Sequence, residues 1–598
     1  MTRTTTKFAD RLPDDRCAFT WCGHRVRPPR PSRSGRRTLA SVAIFGFLLV
    51  SCSSGGSAAG KATTTRPAAA RATRGLTGAH RCAQGALTQG KVPAEEQQLP
   101  ANVPAGQAAS RTDLLVTSFD GTKIFTHWFP VAGASKAKPA PTVLMGPGWS
   151  LPGDTSTGGA ALFGAASIKG LHDHGYNVLT WDPRGFGKSG GQAMVDDPDF
   201  EGHDVRILMD WVAEQPEAQL DAKGDPRIGM VGFSYGGGIQ LSVAAVDCRV
   251  DALVPGLAWH SQHTSLFKAD TVKVGWANLL YNAAVTAGGR LAPELIASAQ
   301  SDLPTGRISA EHIAWYESRG PGDRIDSVDV PTLFVQGTVD TLFSLDEAVT
   351  NYESLRARGV PTAMVWFCGG HGTCLTSDAT KDDRFGTASF AWLDRYLKND
   401  TSVHLGPALD VVDQNGKRWS ADGWPVPQAD PVVATGSGVL DLNAGGGSGP
   451  VTTKPRKGDP LGGLVTGITP AKAENAVDVS INPKVDALAI GAPILSFAYS
   501  GTVADGPEPV RAFAQLVDDG TGLVVGNQIT PFALTLDGAR HTATVPLEMI
   551  VHHLRPGHTL TLQLAASTVA YSTPRLGGQV SFEHIRIELP VAKGMTRS

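Results

Sequence analysis

Two short motifs in the chain place a serine between glycines in the pattern Gly-x-Ser-x-Gly, one centred on Ser189 and the other on Ser234. With 69 glycines in 598 residues, the pattern is expected by chance on the order of once, so its context has to decide. When this motif forms a nucleophile elbow, its serine lies on a sharp turn between a strand and a helix. Ser234 has this context, because the apolar run 228–231 precedes it and the apolar segment 237–245 follows. Ser189 follows a glycine-rich loop.

A nucleophilic serine also needs a base that takes its proton and an acid that orients the base. On a sheet with such a turn, the acid and then the histidine follow the serine along the chain, each in a loop after a strand. Asp340 follows the apolar run 332–335, and His371 follows the run 363–367. We therefore predict that Ser234, Asp340 and His371 meet as a catalytic triad.

Acyl transfer further requires hydrogen-bond donors for the negative oxygen that develops in the transition state. One predicted donor is the backbone N–H of Tyr235, which directly follows the nucleophile. The other is the backbone N–H of Trp149, since the loop 146–149 follows the apolar run 142–145 and its glycines allow a close backbone approach.

The elements around these residues predict a mixed α/β sheet. A hairpin at 114–131 precedes short apolar runs that alternate with helical patterns up to residue 400, and one helix begins with the capping-box pattern of Ser344 and Glu347. We predict a catalytic domain at 111–400 with a helical cap at about 257–328. Residues 401–598 predict an all-β sandwich of the jelly-roll type, in which the glycine-rich segment 433–465 is a long loop.

The first residues predict an export signal. Residues 1–51 carry a net charge of +7, and their apolar run 38–50 has the length of a signal-peptide core and is too short to span a bilayer. The residues up to Cys52 resemble a bacterial lipobox, which makes Cys52 the predicted lipidation site; a plain secretory signal is the alternative. Arg36-Arg37 leaves the choice between general and twin-arginine export open. Residues 52–110 predict a flexible tether.

Export places the remaining cysteines in an oxidising compartment. Cys82, Cys248, Cys368 and Cys374 are left after the signal and the lipidation site, and four cysteines allow three pairings. The closeness of Cys368 and Cys374 in sequence favours a local bridge, which would leave Cys82 to pair with Cys248.

Several function classes are excluded or disfavoured. The chain beyond residue 51 carries a net charge of −10, whereas a nucleic-acid-binding protein needs a basic face. His172 and His174 flank an aspartate but lack a third ligand at metal-binding spacing. We predict no metal, no other cofactor and no nucleic-acid partner.

Several segments together resemble the Xaa-Pro dipeptidyl-peptidase/cocaine-esterase family of α/β-hydrolases, over about residues 113–595. These are 182–190, 210–216, 227–237 and 330–337, together with 419–425 and 553–558 in the β-rich region. The resemblance implies an α/β-hydrolase fold with a jelly-roll domain. It also implies Ser234 as nucleophile with Asp340 and His371, and the N–H of Tyr235 as oxyanion donor. Trp149 departs from the pattern, because cocaine esterase uses a tyrosine hydroxyl from the matching loop.

Together these features predict an exported or lipid-anchored serine hydrolase that acts on a small ester or a short peptide, with an acyl esterase as the leading interpretation. An Xaa-Pro dipeptidyl-peptidase is the first alternative, although no unambiguous acidic residues for a peptide amine are evident. A binding lipoprotein on a hydrolase scaffold is the second. The sequence leaves the substrate and the oligomeric state open.

Overall fold

A mixed sheet of twelve strands forms the centre of the computed structural model, which describes residues 91–97, 112–158, 167–376, 384–453, 462–506 and 509–597. In chain order its strands are β1 (Ala94–Gln97), β2 (Thr112–Thr117), β3 (Lys123–Phe129), β4 (Thr142–Gly146), β5 (Asn177–Trp181), β8 (Ile228–Phe233), β9 (Val250–Gly256), β10 (Thr332–Gly337), β11 (Thr362–Phe367), β12 (Leu409–Val412), β13 (Arg418–Ala421) and β24 (Thr596–Arg597). A separate two-stranded hairpin consists of β6 (Leu220–Ala222) and β7 (Asp225–Pro226).

The central strands of the large sheet run parallel, in the order β5-β4-β8-β9-β10-β11-β12. Antiparallel strands extend it at both edges. The predicted mixed α/β sheet is therefore confirmed. Because β8, β10 and β11 are parallel and close together, the loops that follow them open on one edge of the sheet.

Helices cover both faces of this sheet. On one face the core contains buried residues of α2 (Glu201–Val212), α3 (Tyr235–Ala244) and α8 (Leu345–Ala357). On the other face it contains those of α1 (Ile168–Asp173) and α9 (Arg384–Leu397). Central strands buried on both faces explain why their sequences read as continuous apolar runs.

Four helices lie between β9 and β10, in the segment predicted as a cap. They are α4 (Gln262–Leu266), α5 (Val274–Thr286), α6 (Pro293–Thr305) and α7 (Ala310–Glu317). Their apolar side chains form a separate core cluster with Phe186, Tyr235 and Phe343 of the sheet domain. We call these four helices the cap.

The carboxyl-terminal region is rich in β-structure. One antiparallel sheet contains β14 (Gln428–Asp441), β16 (Ala487–Gly491), β17 (Ile494–Val503), β20 (His541–Pro546), β21 (Ile550–Leu554) and β23 (Gly578–Ala592). A second contains β15 (Ala476–Ile481), β18 (Arg511–Asp518), β19 (Leu523–Ala533) and β22 (Leu560–Ala565). The short helix α10 (Gly462–Val465) precedes β15. Residues of both sheets share one core.

The structure differs from three predicted boundaries. The large sheet continues past residue 400, since β12 pairs in parallel with β11; the pattern of a short strand does not reveal which sheet it joins. Residues 94–97 of the predicted tether form β1, which pairs with β2. The glycine-rich segment begins as a strand, because β14 pairs with β23 and a side chain at Gly436 would run into Val479.

The predicted signal 1–51, the lipidation site Cys52 and Cys82 lie outside the described residues. Among the residues that are described, no helix combines the length and the apolar character needed to span a membrane.

Candidate active site

The turn between β8 and α3 holds Ser234 in a strained conformation. Its φ is 58° and its ψ is −120°, a region that costs free energy for a residue with a side chain. The strain is tolerated because the helix start packs against the end of β4: a side chain at Gly236 would collide with the backbone of Gly146. This is the strand–turn–helix context that was predicted for Ser234.

The three predicted triad residues meet at this edge of the sheet. His371 Nε2 lies 2.8 Å from Ser234 Oγ, and His371 Nδ1 lies 2.8 Å from Asp340 Oδ2. With the ring proton on Nδ1, the imidazole donates to the carboxylate and accepts from the serine hydroxyl. This is the geometry in which a histidine acts as a general base toward serine.

The Asp340 carboxylate is completely buried, with 0% of its surface exposed. One oxygen accepts the backbone N–H groups of Leu342 and Phe343, both at 2.9 Å. The other accepts the backbone N–H of His371 at 3.0 Å in addition to the ring Nδ1–H. Four donors therefore satisfy a charge that would otherwise be costly to bury.

Aromatic side chains flank the histidine ring. Trp276 of the cap and Phe343 stand edge-on to His371, with ring centroids at 5.8 Å and 5.2 Å. His371 is only 7% exposed as a result. These contacts hold the ring in the plane between serine and carboxylate and keep bulk water away from it.

The cap also fastens the loop that carries Asp340. We call residues 338–344, which join β10 to α8, the acid loop. The indole N–H of Trp276 donates to Thr341 Oγ1 at 3.0 Å. The Lys273 ammonium donates to the carbonyl of Leu342 at 3.0 Å.

The carboxyl-terminal sheets hold the same loops from another side. Gln528 of β19 donates from Nε2 to the carbonyl of Asp340 at 2.6 Å. Its neighbour Asn527 donates to the carbonyl of Thr373, two residues after His371, at 3.0 Å. Sequence reasoning missed Gln528 and Asn527, because a single amide side chain in a β-rich region carries no motif.

The residues of the two predicted oxyanion donors contact each other: the rings of Trp149 and Tyr235 meet edge-on, with centroids 5.1 Å apart. Tyr235 is the first residue of α3, where backbone N–H groups lack intrahelical acceptors. Within the described ranges, neither its amide nor that of Trp149 has a hydrogen-bond acceptor. The Trp149 indole N–H is committed elsewhere, since it donates to the carbonyl of Leu280 in the cap at 3.0 Å.

A buried polar network lies behind the turn. The Tyr235 hydroxyl donates to Glu201 Oε1 at 3.2 Å and accepts the backbone N–H of Asp196 at 3.3 Å. Burial raises the pKa of Glu201 to about 8, and it raises the pKa of the Tyr235 hydroxyl well above its usual value. The network anchors the side chain of Tyr235, whose backbone N–H is the first predicted oxyanion donor.

A pocket opens beside Ser234 and extends under the cap, enclosing about 740 Å³ including its open mouth. We call it the cap pocket. Most of its lining is apolar, and no described residue that lines it carries a carboxylate. The lining residues are Trp149, Val195, Ser234, Tyr235, Trp259, Gln262, Leu266, Phe267, Ala277, Leu280, Tyr281, Leu295, Ser298, Ala299, Leu303, Tyr316, Leu342 and Phe343.

The other sequence candidates lie apart from this site. Ser189 is 2% exposed, and its hydroxyl donates to the carbonyl of Asp182 and accepts the N–H of Phe125, which is a structural role. His172 contacts the carbonyl of Phe129, whereas His174 pairs with Asp394. The described residues contain no group of three or more metal-ligating side chains.

The cysteines form the bridge that their spacing favours. Cys368 and Cys374 are joined by a disulfide that closes the loop around His371. Cys248 is also disulfide-bonded. Its pairing with Cys82 stays a prediction, because Cys82 lies outside the described residues.

Comparison with known proteins agrees with this geometry. Residues 120–373 match the family model described as X-Pro dipeptidyl-peptidase (S15 family). This segment, which holds the nucleophile turn and the acid loop, is similar to the S15 family. The predicted family is therefore confirmed for the segment that holds all three triad residues. The match supports the prediction of a serine hydrolase.

Among curated proteins, a polyketide transferase from Penicillium sp is 30% identical over 145 residues, which are 24% of this chain and 44% of that protein. The chain thus spans less than half the length of this relative. A solved CocE/NonD family hydrolase from Staphylococcus aureus has a TM-score of 0.60 at 13% identity, covering 86% of this chain and 100% of that one. An alpha-amino acid ester hydrolase has a TM-score of 0.58 at 15% identity, covering 82% and 98%. These structures share the α/β-hydrolase fold with a β-rich carboxyl-terminal region.

Replacement of the buried acid tests the triad. In Asp340→Asn, an amide N–H₂ would face backbone or ring N–H donors, so His371 would lose its orienting acceptor. We expect kcat toward an activated ester to fall by about 10⁴-fold. Steady-state kinetics would check this, with Asp326→Asn as the control on an exposed aspartate. Equal activity of Asp340→Asn and wild type would contradict the assignment.

Gln528 tests the support from the carboxyl-terminal sheets. We expect Gln528→Ala to lower kcat by about 10-fold with little change in KM, since displacement of the acid loop affects the reacting groups more than the pocket. Gln528→Glu should be at least as impaired, because a carboxylate would face the Asp340 carbonyl.

The control for this experiment is Gln515→Ala, which removes a buried glutamine of β18 that donates to the carbonyl of Ala471. Its kcat per folded molecule should stay at the wild-type value. A parallel loss of kcat in both variants would show a general packing effect and contradict a positioning role for Gln528.

Proposed function

We propose that this protein is an extracytoplasmic serine hydrolase that cleaves acyl esters through an acyl-Ser234 intermediate. The observation that carries the proposal is the unbroken hydrogen-bond chain from Ser234 through His371 to Asp340, with 2.8 Å at each step. The open apolar pocket beside the serine supplies the place for an acyl group. Both parts lie in or next to the segment that matches the S15 family.

In the first step Ser234 Oγ attacks the ester carbonyl carbon while His371 Nε2 takes the hydroxyl proton. The C–O π electrons move onto the carbonyl oxygen, and the N–H groups of Tyr235 and Trp149 stabilise it. Collapse of this tetrahedral species breaks the bond to the alcohol, which receives the proton from His371. Water then repeats the sequence on the acyl-enzyme, releasing the acid and restoring the serine.

The cap pocket favours a largely apolar acyl group. Its lining side chains come mostly from the cap, and burial of hydrocarbon against them contributes about 0.8 kcal/mol per CH₂. A carboxylate for pairing with a peptide amine is missing from the described lining residues. This composition favours an acyl esterase over an enzyme that selects free amino termini.

Removal of the nucleophile tests the proposal. In Ser234→Ala we expect turnover of a p-nitrophenyl ester to fall by at least ~10⁴-fold. The melting temperature should be unchanged or higher, since the strained turn loses only a hydroxyl. Ser189→Ala is the control, because it removes the serine of the second motif; its kcat per folded molecule should match wild type. Retained turnover in Ser234→Ala would contradict the proposal.

An Xaa-Pro dipeptidyl-peptidase is the second candidate, because the family model that matches residues 120–373 carries that description. We expect the purified enzyme to have at least a 100-fold higher kcat/KM for a p-nitrophenyl acyl ester than for Ala-Pro-p-nitroanilide. The physical reason is the absence of a partner for the α-ammonium group in the described pocket lining. Preference for the anilide would reverse the ranking of the two candidates.

A purely binding role has less support, because it would not require the strained Ser234 or the buried Asp340. The export signal at 1–51, the lipid anchor at Cys52 and the jelly-roll assignment of the carboxyl-terminal sheets are further parts of the proposal. The first two rest on the sequence, and the third is supported by two antiparallel sheets around one core.

A further inference from the structure

Most polar groups along the cap pocket have partners among the described residues, and one buried group does not. The indole N–H groups of Trp149 and Trp259 donate to the carbonyls of Leu280 and Arg319. The Tyr235 hydroxyl donates to Glu201.

Polar residues of α6 and α7 form hydrogen bonds with one another. Ser298 donates to Asp302 Oδ2 at 2.8 Å, and Tyr316 donates to Ser298. His312 contacts the same oxygen of Asp302 at 2.6 Å. These hydrogen bonds give the hydroxyl groups of Ser298 and Tyr316 partners in the absence of a ligand.

Gln262 is the exception. It begins α4, lines the cap pocket and is only 3% exposed. Its carboxamide oxygen is buried and has no hydrogen-bond partner in the described part of the chain. A buried acceptor without a partner destabilises the folded protein, and buried polar groups in folded proteins are almost always paired.

We propose that Gln262 determines the specificity of this pocket and pairs with a hydroxyl group on the acyl part of the substrate. The inference rests on the proposed function, because the ligand is the acyl group that Ser234 would carry. The favoured substrate is an ester whose acyl chain has an apolar body and a neutral hydroxyl at its far end. The body packs against the cap, and the hydroxyl donates to the Gln262 oxygen.

The absence of charged side chains in the described lining of the pocket supports a neutral group at this position. An ammonium group would enter without a carboxylate partner, and a carboxylate without a cation. A site that is built to hydrogen-bond a substrate hydroxyl discriminates against the analogue that lacks it, since its own polar group is then left unpaired.

The experiment compares p-nitrophenyl esters of straight-chain acids from four to twelve carbons with the corresponding ω-hydroxy acids. At the best chain length, the wild type should prefer the hydroxylated ester by about 10-fold in kcat/KM. Gln262→Met, which keeps the length of the side chain, should abolish or reverse this preference. Gln262→Leu serves as a second variant should the first fold poorly. Thr264→Ser, on an exposed residue of the same helix outside the pocket lining, should keep the wild-type ratio.

A wild-type ratio at or below one at every chain length would overturn the inference, as would an unchanged ratio in the folded Gln262 variants. Calorimetric titration with the free acids distinguishes a failure of the role proposed for Gln262 from a failure of the proposed ester hydrolysis. If no ester is hydrolysed but the ω-hydroxy acid binds wild type more tightly than it binds Gln262→Met, the proposed chemistry fails and the role of Gln262 stands.

Discussion

A carboxylate at the end of a central strand, removed entirely from water, is the interaction on which the rest of the site depends. Asp340 is tolerated there because three backbone N–H groups and one ring N–H converge on its two oxygens. Those donors fix the path of the acid loop and bring the backbone of His371 against it. Gly370 is required at this contact, since its φ is 119° and a side chain there would strike the Asp340 carboxylate.

The cap region and the carboxyl-terminal sheets both contact the acid loop. Trp276 of the cap and Lys273, which directly precedes α5, contact the acid loop, and Gln528 of the carboxyl-terminal sheets contacts it from another side. The acid loop therefore lies between the cap, which forms most of the pocket, and the carboxyl-terminal sheets. We expect a change in either packing partner to alter the orientation of the histidine.

Much of the sheet domain could be predicted from the sequence, because strands buried on both faces appear as uninterrupted apolar runs. The predicted runs 142–145, 177–181 and 332–335 correspond to β4, β5 and β10. Ser234, Asp340 and His371 could be singled out because each follows such a run, and the structure brings them together. Their catalytic roles remain the proposal that kinetics must test.

Features that depend on pairing across the chain could not be predicted in this way. The sequence of β12 does not reveal that it joins the large sheet. The glycines of β14 predict a loop, but they lie in a strand that packs closely against Val477 and Val479. The predicted capping box also fails: Ser344 makes no side-chain bond to the helix start, and Glu347 instead accepts the backbone N–H groups of His260 and Ser261. The hydrogen bond of Gln528 and the burial of Gln262 likewise exist only in the folded chain.

Covalent labelling tests the central claim most directly, since only a serine activated by a neighbouring base reacts readily with a fluorophosphonate. The folded protein should take up one equivalent of the reagent, and peptide mapping should locate the adduct on Ser234, with Ser189 unmodified. A folded protein that stays unlabelled under conditions that label a known serine hydrolase, or that carries the adduct on another residue, would contradict the account.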